Sequence, residues 1–187
     1  MNNENKTKKS ILHSAKECAY IATFVALMIA LQLIFSAVAG LELVTALFAV
    51  YALVMGVVRG AIVGTCFSLL RQLVFGFFPN VFVLYLLYYN LFAVGVGLLG
   101  KAVVGWRLQW KTLVVVVVAC VLTAIFTLLD DVISPLWFGY TAEMAKAYFF
   151  TSLAVMLPQM ICVGISTAIL FVPLEKTFAY LKIRLKS

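Results

Sequence analysis

Two adjacent carboxylates, Asp130 and Asp131, come closely after the apolar run TLVVVVVACVLTAIF, and a proline with Trp137, Phe138 and Tyr140 follows within a few residues. Carboxylates accept hydrogen bonds and aromatic rings offer flat faces, so together they have the chemistry to hold a small planar molecule. The plainer alternatives are a solvated helix end and an interfacial aromatic belt. Other polar groups stand in apolar surroundings: Arg71 with Gln72 beside it, Asn90 after Tyr85, Tyr88 and Tyr89, and Gln159 after Pro158. A charge inside a membrane is costly and faces a cavity or a partner, unless it snorkels to the surface. The amides serve either as helix–helix hydrogen bonds or, with Arg71, as the lining of a polar cavity. Asp130 or Asp131 is the candidate partner of Arg71.

Enzyme chemistry lacks its parts. The single histidine, His13, lies in a basic N-terminal segment, which leaves a His-based protease or metal site without ligands. No G-x-x-x-x-G-K-[ST] loop is present for ATP. Cys18, Cys66, Cys120 and Cys162 are scattered without C-x-x-C spacing and read as small buried hydrophobes. Asp130 and Asp131 alone are too few acids for a metal-dependent transferase. The expectation is a protein that is not an enzyme, holds no metal and needs no cofactor of its own.

The elements that must position these residues follow from composition. Hydrophobic residues make up 65% of the 187-residue chain, charged residues 11%, and mean hydropathy is +1.13. A soluble domain carries about 25% charged residues, so the chain is expected to be an all-α polytopic membrane protein. Its length accommodates roughly six spans of about 20 residues and no separate soluble domain. Lipid requires backbones satisfied within the segment, which makes the spans helices. Apolar runs separated by polar or Gly/Pro punctuation place them at 14–39, 43–58, 61–78, 81–100, 112–129 and about 145–172. The run 18–39 is too long for a secretory signal and shows no clear cleavage site, so it reads as a retained first helix. Residues 1–13 form a basic N-terminal segment. Residues 174–187 alternate apolar and basic positions and suit the membrane surface. Gly56, Gly60 and Gly64 bracket the turn between the second and third spans.

Charge sets the orientation. With both termini cytoplasmic, twelve of the 14 basic residues fall on the inner side, leaving Arg71 and Lys146 outside with Glu42, Asp130, Asp131 and Glu143. That satisfies the positive-inside rule, and it accounts for the formal charge of +7 without nucleic acid. Asp130 and Asp131 then stand at the outer mouth of the fifth span.

Along the first helix Ala15, Ala19, Ala22, Ala26 and Ala30 recur at spacings of three and four. This flat face serves close packing, either within the chain or against another membrane subunit. With six spans, both ends inside, the ATFVA face of helix one and the flow GLELVTALFAVYALVMGVVRGAIVG, the chain resembles the substrate-binding S components of energy-coupling factor (ECF) vitamin transporters over nearly its whole length. The resemblance implies a subunit in the plasma membrane of a prokaryotic cell that binds one micronutrient from outside. It also implies a transmembrane coupling subunit and two ATPase subunits as partners, with ATP used by those partners. Ala19, Ala22 and Ala26 would face the coupling subunit. The regions where the family binds its substrate hold Glu42, Tyr85, Asn90, Asp130, Asp131, Trp137 and Tyr140 here; Arg71 and Gln159 complete the candidate set. Two rivals remain open at this point: a stand-alone carrier or channel, and an assembly subunit whose polar residues only bind helices together.

Overall fold

The computed structural model describes residues 15–37 and 43–185, which form six helices and no strand. They are α1 (Ala15–Phe35), α2 (Val44–Met55), α3 (Val57–Phe75), α4 (Pro79–Ala102), α5 (Leu108–Phe138) and α6 (Ala142–Arg184). All but α2 are long and apolar enough to cross a membrane. The protein is an all-α, polytopic membrane protein.

The second expected span turns out differently. At 12 residues α2 is about 18 Å long, well short of a hydrocarbon core of about 30 Å. Gly56, at φ 91, breaks the chain between α2 and α3, a conformation an L side chain resists. Every residue of α2 except Val54 is buried, and the helix touches all five others. A helix that is apolar all round belongs in the middle of a bundle, and α2 is the axis around which the rest pack.

Glycines set how closely they pack. On α3, a Cβ at Gly60 would stand 3.1 Å from the Ala93 side chain, and one at Gly64 would stand 3.1 Å from Tyr89. On α4, a Cβ at Gly97 would reach to 2.6 Å of the Val57 backbone nitrogen, and one at Gly100 would run into the Leu53 carbonyl oxygen. The end of α4 therefore lies backbone to backbone against the α2–α3 break.

Helix directions alternate, as polar contacts at one end of the bundle show. Glu17 at the start of α1 pairs with Arg59 at the start of α3. Lys111 at the start of α5 pairs with Glu175 near the end of α6, and Lys182 donates to the Val54 carbonyl at the end of α2. This end gathers basic residues. The other end carries Arg71, Asp130, Asp131 and the first turns of α6.

Two boundaries move furthest relative to the sequence expectation, and the first of them matters for the site. Helix α5 does not stop near Leu129 but continues through Asp130 and Asp131 to Phe138, with Gly139 closing it in the left-handed conformation while Tyr140 donates to the Pro135 carbonyl. Helix α6 runs unbroken through Pro158 and Pro173 to Arg184, so residues 174–184 extend it instead of forming a separate segment. Each proline removes one backbone donor, which frees the carbonyls of Ala154 and Ile169 four residues earlier, and a helix packed among others tolerates this.

Candidate binding site

Extending α5 past Asp131 and starting α6 at Ala142 lays two polar stripes against each other. On α5, Thr123, Thr127, Asp130 and Ser134 recur at intervals of three and four; on α6, Tyr148, Ser152 and Gln159 follow at intervals of four and seven, which keeps them on one face. Between them lies a cavity of about 250 Å³ lined by Phe126, Thr127, Asp130, Tyr148, Thr151, Ser152, Val155 and Gln159. A smaller hollow adjoins it, sharing Phe126 and Gln159 and walled by Tyr85, Tyr88, Tyr89, Thr45 and Thr123. A larger groove along α6, about 750 Å³, is walled by Ile161, Ile165 and Ile169 and has little beyond Ser166 to orient a ligand.

The aromatic wall is a connected array of edge-to-face and tilted rings. Phe126 meets Tyr88 at 4.7 Å and Tyr85 at 5.4 Å between centroids, and Tyr85 lies 5.6 Å from Tyr89. Such contacts hold the rings in fixed orientations. The acids are held by hydroxyls. Asp130 accepts from Ser134 at 2.6 Å and from the Tyr148 hydroxyl at 2.7 Å, and Ser134 in turn accepts from Asn80 at 3.2 Å, which ties α4, α5 and α6 together. Asp131 accepts from Ser152 through Oδ2 at 2.8 Å, but the same hydroxyl lies 2.8 Å from the Phe149 carbonyl and has one proton to give. Asp131 Oδ1 is buried with no hydrogen-bond partner among the described residues.

Asp130, Tyr85 and Gln159 therefore converge on the cavities, and Asp131 reaches them through Ser152. Both acids lie within α5, half-buried, and bond to hydroxyls of α6.

Arg71 stands one layer back. Its guanidinium lies 4.2 Å from the Tyr85 ring centroid and 4.9 Å from that of Phe75, and Nε donates to Gln32 at 3.2 Å. Gln32 in turn donates to the Tyr85 hydroxyl at 2.9 Å. The expected pairing of Arg71 with Asp130 or Asp131 is absent: among the described residues the ion pairs are Glu17–Arg59 and Lys111–Glu175. Helices α3 and α5 do not touch, and the Tyr85 ring of α4 stands between them.

The remaining candidates separate. Asn90 accepts from Thr65 at 3.2 Å and donates to the Leu86 carbonyl at 2.8 Å, so it is a bond between α3 and α4 and takes no part in the cavity. Trp137 and Phe138 are exposed at the end of α5 and line neither hollow. Tyr140 sits at the rim, 5.9 Å from Tyr148. Glu42 lies outside the described residues. Ala19, Ala22 and Ala26 are all exposed, while the opposite side of α1, with Ile21, Phe24, Val25 and Met28, is buried.

The sequence reading passed over Gln32, Asn80, Ser134, Tyr148 and Ser152. The α5 and α6 stripes were legible as polar residues at helical spacing, but only once the helices are known to extend that far. Trp137→Leu is expected to leave small-molecule retention within about twofold of wild type in native mass spectrometry; a larger loss would put the indole in the site.

Compared with protein-family models, curated proteins and solved structures, the chain matches none.

Proposed function

We propose that this chain is the membrane-embedded substrate-binding subunit of an ECF-type transporter, capturing a vitamin or related micronutrient from outside for uptake driven by partner ATPases. The observation that carries the reading is the cavity between α5 and α6. A purely structural bundle gains nothing from an aromatic-walled space edged by Asp130, Tyr148, Ser152 and Gln159, because polar groups in lipid are costly unless they serve one another or a ligand. The exposed alanine face of α1 is in keeping with a coupling subunit docked there. The gathering of basic residues at the opposite end from the cavity is in keeping with six crossings, both termini cytoplasmic and the cavity facing outward.

Native mass spectrometry of the protein, purified in mild detergent from cells grown in rich medium, tests this. The expected result is one small molecule retained per chain. In liposomes the chain alone is expected to transport nothing, and ATP-dependent uptake is expected once a coupling subunit and two ATPases are added. Transport by the chain alone would establish a stand-alone carrier and overturn the proposal.

A further inference from the structure

Resting on the reading that the α5–α6 cavity binds a small molecule, we infer that its ligand is an organic cation: a planar aromatic or heterocyclic molecule bearing an ammonium or other positively charged N–H group. Charge is the first reason. Asp130 lines the cavity and Asp131 bonds to Ser152 in its wall, while no lysine, arginine or histidine lines either hollow. The described cations of this half are Arg71 and Lys146. Arg71 lies against Tyr85 and Phe75 on a helix that does not touch α5, and Lys146 is exposed. Neither forms an ion pair with a carboxylate among the described residues.

Hydrogen-bond supply is the second reason. An ionised carboxylate accepts up to about four hydrogen bonds. Asp130 has one hydroxyl on each oxygen, and Asp131 has a part share of Ser152 and a buried Oδ1 with no partner among the described residues. Hydroxyls bring protons but no charge. A ligand N–H⁺ supplies donor and counter-charge at once, whereas a carboxylate or phosphate ligand meets repulsion. The third reason is the rings: Phe126 and Tyr148 stand in the wall, and an aromatic ring attracts a cation placed over its face. A bare metal ion fits less well. Among the described residues no three His, Cys, Asp or Glu side chains gather, and hard cations take about six or more oxygen ligands.

The test uses the intact chain in detergent, incubated with two probes in turn. These are the fraction of a small-molecule cell extract retained on a cation-exchange resin and the flow-through of the same resin. Native mass spectrometry is expected to show an adduct from the retained fraction. Its occupancy should fall at least about tenfold in D130N/D131N and also in D131N alone, which keeps the shape of the side chain while removing its charge and turning one acceptor oxygen into a donor. Should the double variant fail to fold by circular dichroism, D131N decides. An adduct formed only from the flow-through, or one undiminished in D131N, overturns the charge assignment while leaving the cavity as a binding site. No adduct from either fraction overturns the binding reading itself and this inference with it.

Discussion

Tryptophan at both Ala22 and Ala26 is expected to reduce uptake by whole cells to the background of cells lacking the protein, while the isolated chain retains its ligand as before. Both alanines are exposed on α1, in line with Ala15, Ala19 and Ala30, and the buried side of the helix points the other way. Two indoles on that face disturb nothing inside the bundle. What they obstruct is close approach by a neighbouring helix, which in lipid depends on small residues because lipid is as apolar as the side chains it would displace. Uptake that survives the double substitution would move the docking surface elsewhere. Loss of ligand retention together with uptake would mean that α1 supports the site through its packing on α2 and α3.

The second large effect concerns stability. Alanine at Gly97 or at Gly100 is expected to cost about 1–3 kcal/mol each, since the added methyl meets backbone that cannot swing aside. At Gly97 the obstacle is the Val57 nitrogen at 2.6 Å, and at Gly100 it is the Leu53 carbonyl. Gly95 lies on the same helix with nothing within 4 Å of a Cβ, so Gly95→Ala is expected to be neutral or mildly stabilising. Thermal unfolding in detergent compares the three. Equal midpoints for all of them would show that α4 can move off the α2–α3 break without loss.

Much of the site escaped the linear reading for a reason peculiar to membrane helices. In water, the buried face of a helix is apolar and the solvent face polar, so periodicity tells one from the other. In lipid both faces are apolar. The alanines of α1 were visible as a stripe, yet nothing in their spacing says whether the stripe meets this chain or the outside. Arg71 was visibly out of place, but its partners are Gln32 on α1 and the Tyr85 ring on α4, chosen by the packing order of the helices. Asn90, equally conspicuous in sequence, turned out to be a bond to Thr65.

Composition alone determined that this is a membrane-spanning helical protein, because a chain with 65% hydrophobic and 11% charged residues has no polar surface with which to face water. Apolar runs and their punctuation placed six helices within a few residues at most ends. Only the tertiary structure decided that α2 is a buried half-length axis, that α5 carries Asp130 and Asp131 past the expected stop, and that those acids look across at Tyr148 and Ser152. Helix formation is local, set by hydrogen bonds between residues four apart. Which faces meet depends on contacts such as the one between Asp130 and Tyr148, 18 positions apart, and on a glycine at 100 that lets two backbones touch.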